Sequence, residues 1–294
     1  MFNIRQIDLS KLNSLTKYPS ILTYHKLGDK GKLLPELQVD FGDEIVVGTE
    51  KIDGTNARVI VCPDGSILVG SREDLLWESH DLIGNNVMGI VDALKPLVVN
   101  IAKYNIRSNY GTHQSLGDNA IQVLFFEVYG KNIGANAKQY SGTGEVGYRL
   151  FDAFRLTNYQ ELLELSPGKI ASWRDNGGQP FEDAHYIPVI ANRLGVDTVP
   201  RLFLGGKKEV VASLDVVEIS TGLCRNERLG YVTLDMPTEL EATYKWLLAF
   251  GKSQATLDDK ANSVPEGIVV RTLDRKKIAK IRREDYERTL RKKN

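Results

Sequence analysis

The sequence predicts an α+β domain: antiparallel sheets with helices inserted between groups of strands. Three observations predict it. Short runs rich in β-branched residues cluster around turn signals at 45–71 and again at 267–282. A continuous apolar run, IQVLFFEVYG (121–130), reads as a buried strand interrupted by one carboxylate. Between these lie two stretches of helical character, 84–103 and 157–250. Grouped strands separated by helical blocks are the α+β pattern, in contrast to strict βαβ alternation.

Taken in order, residues 45–51 (IVVGTEK), 57–61 (ARVIV) and 66–71 (SILVGS) read as a β-meander. Asp64-Gly65 makes its second turn, and Lys51 ends its first strand just before the Asp53-Gly54 pair. Over 84–103, Val87, Ile90, Val91, Leu94, Val98 and Ile101 recur at helical spacing, and Pro96 is expected to kink or interrupt the helix. GYRLFDAF (147–154) is a further strand. TNYQELLEL opens at a Thr/Asn cap, and TELEATYKWLLAF follows Pro237 and stops at Gly251. The region 157–262 therefore reads as a helix-rich insertion in one domain spanning 1–294, with 252–263 a polar loop. GIVVRTL (267–273) and KKIAKIR (276–282) form a last strand pair, and EDYERTLRKK (284–293) a short basic helix.

Composition excludes several classes. With 42% hydrophobic and 26% charged residues the chain is an ordinary soluble globular protein. No apolar run approaches the ~20 residues a membrane span needs. The N-terminus, MFNIRQIDLS, lacks the apolar stretch of a signal peptide, so a cytoplasmic location without a membrane partner is expected. Cys62 and Cys224 lie far apart and fit no metal spacing, which suits reduced thiols. His25, His80, His113 and His185 are scattered and suggest no zinc site. The net charge is zero, yet residues 271–294 carry 11 Lys/Arg against 4 Asp/Glu, a net +7. That asymmetry fits either a local polyanion contact or a solvated terminal helix. GTGEVG (142–147) satisfies the dinucleotide fingerprint, but a strand follows it where a helix is required, and no P-loop occurs.

The chemistry-bearing residues sit where an inert core would not have them. Lys51 ends a strand, Ser71-Arg72 ends another, Glu127 lies between aromatics, and Glu266-Gly267 opens IVVR. Lys280 and Arg282 alternate with Ala279 and Ile281, so both point to one face. Charges on core-facing strand positions are costly unless paired, so these groups are expected to neutralise one another in one shared cleft. In order, KIDGTN (51–56), SR (71–72), FEVYG (126–130), RLFD (149–152), EGIVVR (266–271) and AKIR (279–282) resemble motifs I, Ia, III, IIIa, IV and V of the covalent nucleotidyltransferases. That superfamily holds the polynucleotide ligases and the mRNA capping enzymes. Asn56, five residues after the lysine, resembles the RNA ligase 2 branch, although Asp53 stands where that branch often has His. Only 12 residues follow Arg282 and 44 precede the first motif strand, too few for an OB-fold at either end or for a helical C-terminal domain. An accessory protein or domain acting in trans is the corresponding expectation.

The resemblance implies an antiparallel-sheet ligase adenylation fold with inserted helices and no C-terminal OB-fold. It implies an ATP-dependent RNA ligase: Lys51 takes AMP from ATP, AMP passes to an RNA 5′-phosphate, and a 3′-OH displaces it. Lys51, Asp53, Lys280 and Arg282 would be the catalytic set. Among nucleotide-binding residues, Glu50 and Ile52 flank the lysine, Glu50 at the adenine edge, and Asn56 assists at the ribose or phosphates. Arg72 and Glu127 contact the ribose, and Lys280 and Arg282 grip the α-phosphate. Phe151 stacks on adenine or is simply a core aromatic, and Asp53 also serves to orient Gly54. Mg²⁺ or Mn²⁺ would be held through water by Glu127 or Glu266. The partner would be RNA with 5′-phosphate and 3′-OH ends. The alternatives are a minimal ATP-dependent DNA ligase, a GTP-using capping-type guanylyltransferase, and an inactive nucleic-acid-binding relative.

Overall fold

A computed structural model describes residues 2–78, 81–84, 87–104, 120–131, 133, 139–206 and 236–291. His80, His113, Cys224 and the last residues of the predicted basic helix lie outside them. In chain order the elements are α1 (Leu9–Thr16), β1 (Leu22–Thr23), β2 (His25–Leu27), β3 (Leu33–Leu37), β4 (Val46–Lys51), β5 (Thr55–Val61), β6 (Ile67–Ser71), β7 (Leu75–Glu78), β8 (Asp81–Leu82), α2 (Ile90–Tyr104) and β9 (Ile121–Gly130). They continue with β10 (Val146–Leu156), α3 (Tyr159–Leu163), α4 (Pro167–Asp175), α5 (Tyr186–Leu194), β11 (Arg201–Gly205), α6 (Leu240–Leu248), β12 (Gly267–Thr272), β13 (Ile278–Arg282) and α7 (Arg283–Leu290).

The strands form two main sheets and a ribbon. One sheet has the order β10-β9-β5-β6-β7-β8, the other β1-β13-β12-β4-β11, and β2-β3 pair separately. Every pairing is antiparallel except β1 with β13. The fold is thus the expected α+β arrangement. The six-stranded sheet is buried on both faces, because its strands alternate two apolar sets. Val59, Val69, Leu124 and Phe126 meet α2 and α5, while Ile60, Leu68, Val123 and Phe125 meet α1, α3 and α4. A separate core joins Ile268, Val270, Ala279 and Ile281 of the five-stranded sheet to the β2-β3 ribbon, α6 and α7.

One expectation needs correction and two need refinement. The predicted meander breaks at its first turn: β5 and β6 do pair, but β4 pairs with β12 and β11 in the other sheet. The Asp53-Gly54 turn is not a hairpin; it carries the chain from one sheet to the other. Its glycine is required by close approach, since a Cβ on Gly54 would lie 2.4 Å from the Val128 carbonyl oxygen and 3.1 Å from Glu127 Cγ. Secondly, α2 begins at Ile90 and continues through Pro96. Burial of Ile90, Leu94, Leu97, Val98 and Ile101 holds it together in spite of the missing amide. Thirdly, the helix-rich region after 157 also contains β11, an edge strand of the five-stranded sheet. Asn158 stands at the start of α3 without a side-chain capping bond.

Candidate functional site

The two sheets leave a cleft of about 300 Å³ between them, and the turn after β4 runs along it. Local structure aims the side chains. Lys51, at the end of β4, pairs in register with Gly267 at the start of β12, which puts Glu266 beside it. Lys51 Nζ and Glu266 Oε2 are 2.5 Å apart, with each side chain about three-quarters buried. Across the turn, Asn56 on β5 pairs with Glu127 on β9, and Glu127 pairs with Arg149 on β10. Glu127 is the only partly exposed residue of an otherwise buried strand. Its carboxyl is pushed up to about 7, first by burial and then by the neighbouring charges of Glu266 and Asp53, against the opposing pull of Lys51 and the Gly54 amide.

The remaining wall comes from both sheets. Lys280 of β13 lines the cleft, and its ammonium is held below the ordinary lysine value by burial and by the like charges of Arg282 and Lys51. Arg72 reaches the rim, largely exposed, 3.5 Å from Glu73. Phe151 lies at a bulge in β10: Leu150 pairs with Phe126 and Asp152 with Phe125, leaving Phe151 unmatched. The extra residue turns the Phe151 ring to the cleft, where Tyr18 meets it edge-on at 5.0 Å. The Asn56 side-chain oxygen is buried without a hydrogen-bond partner among the described residues. Such an orphan is unusual and marks a position where the protein leaves an acceptor unserved.

The structure therefore gathers Lys51, Ile52, Asn56, Arg72, Glu127, Phe151 and Lys280 on one cleft, with Glu266 bonded to Lys51. Glu50 also lies on the wall, but its carboxylate is buried and occupied by the Ser253 hydroxyl and the Gln254 amide, 2.8 Å away. Three predicted residues do not line the cleft wall: Glu266, which reaches it only through its bond to Lys51, Asp53 and Arg282. The Asp53 backbone amide donates to the Tyr140 hydroxyl at 2.9 Å, and its carboxylate is near enough to help raise the Glu127 carboxyl. Arg282 forms a two-pronged pair with Asp285 at 2.8 and 2.9 Å. Residues that sequence reasoning passed over also contribute: Tyr18, Pro19, Ser20 and Ile21, between α1 and β1, and Val199 before β11. They carry no charge and no motif, and only the Tyr18-Pro19 pair hints at extended chain.

Two further buried polar clusters are structural. Asp152, fully buried, accepts from Arg271 at 3.0 Å, Arg275 at 2.6 Å and Tyr18 at 2.8 Å. His25 is buried between the Tyr286 hydroxyl and the Thr238 carbonyl. The basic C-terminal stretch is laced by internal pairs, Arg288 with Glu284 and Arg291 with Glu287. Among the described residues no group of three or more His, Cys, Asp or Glu gathers as a metal cage, and no helix is long and apolar enough to cross a membrane.

Comparisons with known proteins bear on the family and the fold. A family model described as RNA ligase matches residues 44–282. A structure of a Naegleria gruberi RNA ligase variant with ATP and Mn aligns over 94% of this chain and 58% of its own, at 14% identity and a TM-score of 0.51. The same ligase with pyrophosphate aligns over 94% and 58%, at 15% identity and a TM-score of 0.49. Identity at this level shows a shared fold, and the chain spans less than two thirds of the length of these structures. No curated protein matches the sequence.

Proposed function

The chain belongs to the RNA ligase family of the covalent nucleotidyltransferases, and on that premise we propose that it is an ATP-dependent RNA ligase working through a lysyl-AMP intermediate on Lys51. The observation that carries the reading is the meeting of Lys51, Glu266, Glu127, Asn56, Phe151 and Lys280, from both sheets, around one cleft.

Each group has a task in this reading. An ordinary lysine titrates near ~10.4, so the amine must surrender its proton before it can attack phosphorus. Glu266, 2.5 Å from Lys51 Nζ, is placed to hold that proton. Lys51 Nζ then bonds to the α-phosphorus of ATP and pyrophosphate leaves with the electron pair of the broken P–O bond. Lys280, kept in the cleft with its ammonium partly desolvated, stabilises the charge gathering on the α-phosphate. Phe151 supplies a flat apolar surface for the base, and the unserved Asn56 oxygen an acceptor for a ribose hydroxyl. In the following steps AMP moves to an RNA 5′-phosphate and is displaced by a 3′-OH.

The donor set suits Mg²⁺ or Mn²⁺ held through water and substrate phosphates, since it offers two close carboxylates, Glu127 and Glu266, and no enclosing cage among the described residues. When bound, such an ion would neutralise phosphate charge and polarise the phosphoryl group. Arg282, tied to Asp285, acts in this reading by holding β13 in shape, and the Asp53 carboxylate acts as a charge beside Glu127.

The test is incubation with α-labelled ATP and Mg²⁺ or Mn²⁺. An acid-labile adduct of one AMP per chain is expected, and Lys51→Ala should abolish it. Labelling that survives this change, or label from GTP in preference to ATP, would overturn the assignment. Sealing of single-stranded RNA, nicked duplex RNA and nicked DNA, compared side by side, identifies the strand it joins.

A further inference from the structure

We propose that residues 252–263 form a strap that fixes the turn carrying Lys51, with Ser253 and Asp258 as its positioning residues. The inference rests on the adenylation reading above and adds to it a part of the chain that matches none of the family motifs quoted earlier. By composition this stretch is a polar loop, yet it is bonded at every stage of its course.

Its first contact is with the residue before the nucleophile. Ser253, buried, donates its hydroxyl to one oxygen of Glu50, and the Gln254 amide donates to the other at 2.8 Å. The Ala255 amide closes the local loop onto Ser253 Oγ at 3.0 Å, and the Ser253 amide meets the Ser263 carbonyl at 2.9 Å, tying the strap's two ends together. Ala255 is fully buried in the same small core cluster as Ile52, the residue after the nucleophile. The strap thus holds the residues on either side of Lys51 in sequence and supplies no lining residue of its own to the cleft.

Its second contact runs through Tyr140. The Leu257 amide donates to the Tyr140 carbonyl at 2.8 Å, and the Tyr140 hydroxyl accepts from the Asp53 amide at 2.9 Å. Asp258 then anchors the strap. Its carboxylate accepts from the Ser141 hydroxyl at 2.7 Å, the Gly142 amide at 3.1 Å, the Thr143 amide at 3.0 Å and hydroxyl at 2.8 Å, and the Lys260 amide at 2.9 Å. The Gly-rich stretch that mimics a dinucleotide fingerprint is, in the fold, the socket for this carboxylate. Such charge-assisted bonds from several donors are the strong kind. A nucleophile displaced by about 1 Å can lose about a hundredfold in rate, so a device that only holds geometry has a kinetic signature.

Single-turnover labelling with α-labelled ATP, combined with amide hydrogen exchange, tests this on the full chain. Ser253→Ala and Asp258→Ala are each expected to slow adenylation at saturating ATP by about tenfold. The fraction of molecules that finally take label, and the ATP concentration for half-maximal rate, should stay within twofold. Ser253→Thr, which keeps the hydroxyl, should restore the rate. Exchange should rise over residues 50–56 in both alanine variants and not over α1. A lower labelled fraction with an unchanged rate, or unchanged exchange over 50–56, would show that the strap merely supports folding and would overturn the proposal. Raised exchange in a chain that takes no label even as wild type would overturn the ligase reading and leave the strap standing.

Discussion

Two polar clusters lie within a few residues of each other in this molecule and are built on opposite principles. Around Asp152, every lone pair is served: Tyr18, Arg271, Arg275 and the Ala153 amide all donate to one fully buried carboxylate. Arg275 in turn lies 3.4 Å over the Phe181 ring. Around Glu127, burial has run ahead of service. Its carboxyl is pushed up to about 7, the Asn56 oxygen beside it has no partner among the described residues, and Lys280 is desolvated next to other cations. A satisfied cluster fixes a structure, while an under-satisfied one keeps free energy in reserve for a ligand. In sequence the two look alike, each a charged residue set in an apolar strand.

The contrast can be broken or sharpened by four changes. The largest effect is expected from Lys51→Ala, which should remove AMP labelling below detection while costing less stability than Asp152→Asn, because its pair with Glu266 is only partly buried; a fall in melting temperature as large as that of Asp152→Asn would make the lysine architectural. Asp152→Asn should behave in the opposite manner. Removing one member of a buried ion cluster costs about 3–5 kcal/mol, read by denaturant unfolding, and any activity lost should scale with the unfolded fraction. Asn56→Ala should cost about 1 kcal/mol or less in stability, because the group removed is already unserved on one side. Its rate of labelling should nonetheless fall clearly; equal activity would make the orphan oxygen incidental.

The smallest effect is a pH dependence. Glu127 titrates at about 7 in the fold against 4.5 as an ordinary glutamate. Between those values the folded chain keeps a proton that the unfolded chain has released. Its contribution to stability is therefore complete below about pH 4.5 and lost as pH rises through about 7. Measured with chelator and without nucleotide, Glu127→Gln should flatten that decline. Asp152→Asn should not, and a decline that persists in Glu127→Gln would assign the slope to another group.

Much of this architecture was legible in the residues. β9, β10 and the β12-β13 pair announce themselves through apolar runs and turn signals, and the site through charges that a core would reject. What escaped is what long-range pairing decides. β4 and β5 have the same local character as the strands of a hairpin, and it is β11 and β12, more than 150 and more than 200 residues away in sequence, that take β4 into another sheet. Tyr18 to Ile21 line the cleft with uncharged residues that carry no periodic signal. The anchoring of Asp258 depends on amides and a hydroxyl of a loop 115 to 117 residues distant, which no composition reveals. Arg282 keeps the alternation expected of it, but Asp285, three residues on, captures its guanidinium.

The three-residue crossing between β4 and β5 has a mechanical consequence. Ile52, Asp53 and Gly54 join strands of different sheets, and three residues at full extension reach only about 10–11 Å. The link, with the Arg271–Asp152 pair that also joins the two sheets, is therefore a fixed point between them. If one sheet swings against the other to admit or release a ligand, displacement is least at this joint and grows with distance from it. Lys51 sits on the joint, so the rim at Arg72 would travel while the nucleophile stayed almost still.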